Sequence, residues 1–354
     1  MQIMKPLLVA YSLLCVATLW SPAAHADSAA LAVTIGLHDV YHNAEFNPTG
    51  NPIGGGPGYS RIVDTTKPNV VVVDNRADLV RALTTAVSGA VIYVRDDAVI
   101  DLTGADPITI PGGVTLASGR GKGGSRGALL YVTTPPTVPV DELQYPLFKT
   151  GGPYVRITGL RIQGHDQTVL TTSGLTTGVA VVHRYNEIDN CEIYGWPHAG
   201  IHALKDALRL RVHHNYIHHN YGNGNGYGIT LNGEYGTVDA LIEANYFDYH
   251  RHGIAGTGHI GTSCEARYNV FGKNFAYYPV DMHGGGDRGD GTNWAGDWIV
   301  VHHNTFYKTA SDAGGVHISG IPRIGAWIFS NWFEKPPPSH IGSTTPLEPT
   351  LKIP

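Results

Sequence analysis

Histidine is unevenly distributed along this chain: thirteen of its nineteen histidines fall between His198 and His317. Two polar segments in that stretch gather groups suited to moving a proton beside a negative charge. They are Tyr249-His250-Arg251-His252-Gly253 and Asp281-Met282-His283-Gly-Gly-Gly-Asp287-Arg288-Gly-Asp290. An imidazole titrates near neutrality, so His283 suits a general base, with Asp281 or a neighbouring histidine to orient it. The planar fork of Arg251 or Arg288 matches the two oxygens of a carboxylate. Base, orienter and fork are together what abstraction of a proton next to a carboxylate requires.

Other chemistries stay open on the same residues. Asp281, Asp287 and Asp290 offer oxygen ligands to calcium in place of an arginine, although Asp-Arg-Gly-Asp matches no known calcium loop. Hydrolysis of a glycosidic bond needs two carboxylates, and Asp281 with Asp287, or Glu234 with Asp281, are the available pairs. A transition-metal site from His202, His283 and His317 lacks the usual ligand spacing. His213-His214, His218-His219 and His302-His303 read as turn residues, because repeated turns favour ladders of like polar groups. Trp196, Tyr227, Tyr249 and Trp294 are either platforms for stacking a sugar ring or rim packing.

The elements that must position these groups emerge from a repeat. After a strand at Val70 to Asp74, Asn75 caps a helical pattern (Leu79, Val80, Leu83, Val87) that Gly89 ends. From Ala90 onward the chain is a series of short strand-like runs separated by Gly, Asn or Asp. The phrase Asn-x-(Ile/Phe) recurs at Asn215, Asn245, Asn269, Asn304 and Asn331, and at Asn190 with one extra residue. Small or branched apolar residues stand three and five positions before the last five asparagines, which is the alternation of a strand facing a narrow core. Coils of 24 to 35 residues, with no helix between them, predict a parallel β-helix with the asparagines stacked at one turn.

A second strand follows each asparagine: Gly200-Ile, Gly228-Ile, Gly253-Ile, Pro279-Val and Gly315-Val. If each Ile or Val points inward, the next residue points out, giving the column His202, Thr230, Ala255, Asp281, His317. Two positions further on, the column reads Leu204, Asn232, Thr257, His283, Ser319. His202, Asn232, His252, Asp287, Arg288, His317 and Tyr227 are then the expected substrate contacts, with His283, Arg251 and Asp281 as the reacting group. The same register separates Cys191 and Cys264 by three coils, roughly 14 Å, so both are expected to be free and buried.

The run from ADLVRAL through SGAVIYV and ITIPGGVTLASGRG into the asparagine coils resembles the pectin-lyase-like superfamily of right-handed parallel β-helix proteins. The resemblance covers about Val70 to Lys335. It implies an all-β solenoid with a short N-terminal capping helix, in a superfamily of polysaccharide lyases, glycoside hydrolases, uronan epimerases and phage tailspikes. No motif carries catalytic residues over from one enzyme family. The combined expectation is a lyase acting on an acidic, uronate-containing polysaccharide or oligosaccharide. A glycoside hydrolase and a non-catalytic glycan-binding or surface module are the alternatives, and crowding of titratable groups into two adjacent coils favours an enzyme.

The remaining sequence sets the boundaries. Lys5, the apolar run Pro6 to Leu19 and Ala24-His25-Ala26 form a signal peptide over residues 1–26, implying a secreted or periplasmic protein that leaves the membrane on cleavage near Ala26. Residues 27–68 form an extended Gly/Pro/Asn-rich lead-in, 69–335 the β-helix, and 336–354 a Pro-rich tail. Charged residues are only 15% and the net charge is −5, with no basic stretch, so nucleic acid is not an expected partner.

Overall fold

A computed structural model describes residues 47–105, 107–139, 145–166, 175–222, 224–307 and 314–334, with the strands Ile341–Ser343 and Leu351–Lys352. The signal peptide, residues 27–46 of the lead-in and most of the Pro-rich tail lie outside those residues. The described chain is a parallel solenoid of three sheets, one of eleven strands and two of nine. Each coil contributes one strand to each sheet in turn. We call them sheet A (beginning with Val70–Val73), sheet B (Val99–Asp101) and sheet C (Ile108–Ile110). The strands Ile341–Ser343 and Leu351–Lys352 extend sheets C and A into the Pro-rich segment.

Helix α1 (Arg76–Thr85) starts where the sequence places it, with the Asn75 side chain accepting from the backbone N–H of Asp78 at 3.0 Å. Its Leu79 and Leu83 are buried in the same apolar core as Ile92, Ile110 and Leu116. The helix thereby covers strand ends that would otherwise be open to pairing.

Two ladders hold the coils in register. At the corner between sheets A and B, Oδ1 of Asn245 accepts from the backbone and side-chain N–H groups of Asn215. Asn269, Asn304 and Asn331 repeat the pattern, each bond 2.9–3.0 Å. Every such amide also donates to a backbone carbonyl, so buried polar groups at the corner are paired. The foot of the ladder is Cys191, whose N–H donates to Asn215. Asn190 stands one residue earlier, in the left-handed conformation that His214 and Ala244 adopt in later coils. The second ladder is apolar: Phe247, Phe271, Phe306 and Phe333 stack under sheet B with centroids 4.6–5.2 Å apart.

The lead-in from Asn47 is a strap against this corner. Gly54 N–H donates to the carbonyl of Ala244, Gly56 N–H to Oδ1 of Asn190, and the Tyr59 hydroxyl to Asp189 at 2.7 Å. Arg61 reaches Glu187 through both of its terminal nitrogens, at 2.7 and 3.1 Å. Cys191 and Cys264 are free and buried.

Candidate active site

The site is built on the outward face of sheet C. Its strands pair in the expected register: Ile201, Ile229, Ile254, Val280 and Val316 are neighbours facing the core, and His202, Thr230, Ala255, Asp281 and His317 form the next column. Strict alternation would turn His252 and Tyr227 inward with Ile254 and Ile229. The glycine before each isoleucine prevents this, because its own missing side chain also faces the core. A Cβ on Gly253 would meet the Phe271 ring at 3.0 Å, and one on Gly228 the Phe247 ring at 2.9 Å. Two successive inward positions, Gly253 and Ile254, leave both His252 and Ala255 outside. Tyr227 and His252 are accordingly stacked neighbours on the outer face.

Asp281 is the hub. Its Oδ2 accepts from Nε2 of His283 at 2.8 Å, its Oδ1 lies 2.8 Å from Nδ1 of His317, and Nε2 of His252 is 3.6 Å from Oδ2. Burial alone would raise the Asp281 carboxyl, but the bonds from His283 and His317 hold it well below the usual carboxylate range. The bond to Asp281 raises His283 in turn. Burial pushes His252 down to about 4, so it is neutral at pH 7. Its Nδ1 meets the Tyr278 carbonyl at 2.7 Å and therefore carries the proton. Tyr278 stacks on His317, and Arg251 donates to the Gly224 carbonyl at 2.6 Å and the Tyr227 hydroxyl at 3.3 Å while lying over the Tyr277 ring.

His283 opens onto a cavity of about 240 Å³ lined also by His198, His202, Tyr227, Asn232 and Glu234. His202 is three strands from Asp281 in the same column, roughly 14 Å away, so it belongs to the far end of the groove. Burial lowers His198 to about 4 and pushes His202 well below the ordinary imidazole value, which favours the neutral form of both. The backbone needs a glycine here: at Gly258, whose φ is +73°, a Cβ would sit 1.7 Å from the carbonyl oxygen of His283.

Two expected contacts, Arg288 and Asp287, and one expected calcium ligand, Asp290, have other duties. Arg288 gives Nη1 to the carbonyl of Thr257 (2.8 Å), Nη2 to that of Trp294 (3.1 Å) and Nε to Asp290 (2.7 Å), so it fastens the glycine-rich loop to the body. Asp287 accepts from the N–H of Gly284 and caps its own short helix, Gly285–Arg288. Asp290 accepts from the N–H and hydroxyl of Thr292. Among the described residues no cluster therefore joins Asp281, Asp287 and Asp290; the grouped ligands are His252, Asp281 and His283. His202, His283 and His317 are likewise not grouped.

Of the four aromatic candidates, Trp196 is fully buried, Tyr249 stacks on His219 on sheet B, and Trp294 is partly exposed on the loop. Tyr227 alone of the four lines the cavity. His198, Thr230 and Tyr278 were not singled out by the sequence, although the column arithmetic that finds His202 and Asp281 also finds Thr230. His213-His214 and His302-His303 lie at the asparagine corner and His218-His219 on sheet B, each pair joined through Nδ1 atoms 2.7–2.8 Å apart. His250 is buried with its ring on the carbonyls of Ile217 and Asn220.

No family model and no curated protein matches the chain. Among solved structures it is similar to an alginate lyase from a Paenibacillus species, with TM-score 0.53 and 17% identity over 80% of this chain and 97% of that one. It is also similar to the ORF18 protein of Geobacillus virus E2 (TM-score 0.40, 14% identity, 92% and 63% covered). The Dettilon tailspike protein is a third such structure (TM-score 0.36, 12% identity, 81% and 71% covered). At these identities the likeness is one of fold. The chain has the right-handed parallel β-helix fold.

Proposed function

We propose that this is an exported polysaccharide lyase that cleaves a uronate-containing glycan by β-elimination. The observation that carries the reading is the Asp281–His283 pair, 2.8 Å apart, with His283 opening onto the cavity. Nε2 of His283 donates to Asp281, which leaves Nδ1 as the nitrogen that takes a proton from substrate. Removal of the proton on the carbon beside the uronate carboxylate sends its electron pair into a new carbon–carbon double bond. The glycosidic bond on the neighbouring carbon breaks, and the leaving oxygen takes up a proton. Arg251, beside Tyr227 at the cavity edge, is the charge that neutralises the uronate.

Two further points support the choice. The similarly folded Paenibacillus protein is an alginate lyase, which favours an acidic glycan. Hydrolysis needs two facing carboxylates, whereas the cavity lining contains one, Glu234, and Asp281 is buried between histidines. The test is absorbance of unsaturated uronate ends on a panel of acidic polysaccharides. Release of reducing ends without that absorbance would transfer the reading to hydrolysis, and inactivity on every glycan would leave a binding module.

A further inference from the structure

We propose that His252, Asp281 and His283 form a binding site for a transition-metal dication such as zinc. Nε2 of His252, Oδ2 of Asp281 and Nε2 of His283 lie within 4.8 Å of one another on two adjacent strands of sheet C. The feature that points to a ligand is His252. Its ring is 3% exposed, Nδ1–H is fixed on the Tyr278 carbonyl, and the remaining lone pair on Nε2 has no hydrogen-bond partner among the described residues. That lone pair faces a carboxylate oxygen 3.6 Å away, two negative ends turned toward each other. A cation between them removes the repulsion and satisfies a buried acceptor that is otherwise unpaired.

The outer contacts suit the same purpose. A backbone carbonyl holding the far nitrogen is how metal-binding histidines are usually oriented, and Oδ1 of Asp281 is held in turn by His317. His283, with 31% of its side chain exposed, has room to turn Nε2 from a proton shared with Asp281 to a shared ion. Two imidazoles and one carboxylate select a borderline metal, since calcium and magnesium demand shells made of oxygen. Three protein ligands leave one tetrahedral position to water or a substrate oxygen.

Another triad, Glu187, Asp189 and His213, has comparable spacing but is already neutralised. Arg156 and Tyr59 donate to Asp189, and Arg61 and His213 to Glu187. An ion there would displace fixed positive charge, whereas among the described residues no arginine or lysine is bonded to the Asp281 carboxylate.

A consequence follows that rests on the elimination reading. A neutral imidazole has one lone pair, so an ion on Nε2 of His283 obliges the ring proton to sit on Nδ1. Bound metal and a His283 base then exclude each other.

The test titrates the full chain with zinc alone by calorimetry, and with cobalt alone by visible absorption. One ion per chain is expected, with affinity lowered by more than the roughly 10–100-fold cost of losing an outer contact in His252→Gln and His252→Ala. Glu187→Gln should bind as the unaltered chain does. Absence of stoichiometric binding, or unchanged binding in both His252 variants with circular dichroism intact, would overturn the site. In a parallel assay zinc should abolish formation of unsaturated uronate and a chelator should restore it. Zinc bound without loss of activity would leave the metal site standing and overturn His283 as the base.

Discussion

Asp281 and His283 lie two residues apart at the end of one strand, and their Oδ2 and Nε2 atoms meet at 2.8 Å on its outward side. The pair is a product of strand periodicity: successive outward positions place a carboxylate against the ring it must orient. Asp281→Asn keeps the shape and removes the charge that raises His283. On the elimination reading, kcat should fall on the order of 10²–10⁴-fold, the contribution of general acid–base catalysis, with KM changed only a few-fold. Steady-state kinetics on an acidic glycan checks this, and a variant with unaltered kcat would remove Asp281 from the mechanism.

Arg288 offers a test of position against contact. Its guanidinium ties Thr257, Trp294 and Asp290 together, and a lysine, being a point charge, satisfies one of them at a time. Arg288→Lys should therefore loosen the segment 285–294, at a cost of roughly 2 kcal/mol for lost charge-assisted bonds. Limited proteolysis should cut there faster while KM stays near that of the unaltered chain. A raised KM with unchanged cleavage would instead return Arg288 to substrate binding.

The contrast between Asp281 and Arg288 illustrates what was legible in the sequence. The register of sheet C follows from Gly-Ile and Gly-Val phrases because a buried sheet tolerates no slip, so the column from His202 to His317 could be written down in advance. The same logic has no hold on a loop. Asp287, Arg288 and Asp290 have the right types for a site, but an irregular segment must satisfy its own backbone, and their side chains are spent doing so. His252 illustrates an intermediate case. Its polar neighbourhood marks it, yet its outward direction depends on Gly253 lying over the Phe271 ring, a fact of packing between coils. The one-residue offset that gives the ladder position to Cys191 rather than Asn190 likewise depends on which residue takes the left-handed corner.

The asparagine ladder predicts a gradient of cost. The Asn269 side chain makes four bonds, to Asn245, Asn304 and Ile242, and is fully buried, whereas Asn331 is partly exposed at the end of the row. Asn269→Ala should lose roughly 2–4 kcal/mol, and Asn331→Ala under half of that, because water can replace its partners. Because coils touch only their neighbours, the damage should be local. Hydrogen exchange should accelerate around 240–305 in Asn269→Ala and leave α1 protected. Equal effects from the two substitutions would mean that the ladder is not a source of stability.

The strap and the corner make stability depend on pH through His214. This residue is buried, has φ of +55°, and sets Nε2 2.8 Å from the Thr49 hydroxyl. Burial, reinforced by the charge of His213, pushes it down to about 3, and burial holds His303 at about 4. An unfolded histidine takes its proton near pH 6.5. The stabilisation is thus complete above about 6.5 and declines as pH falls toward the folded value, because over that window the unfolded chain binds more protons. Each such histidine contributes up to about 1.4 kcal/mol per pH unit. Glu187, held far below its ordinary value largely by His213 and Arg61 against the opposing effect of burial, adds its own loss only below the usual carboxylate range. Melting temperatures measured between pH 4.5 and 6.5 therefore report chiefly on the histidines, with the buried and raised Asp239 carboxyl common to both chains compared. His214→Asn keeps a residue that tolerates the left-handed corner and removes the titration. Its melting temperature should fall less steeply with acid than that of the unaltered chain, and parallel slopes would exclude His214 as the titrating group.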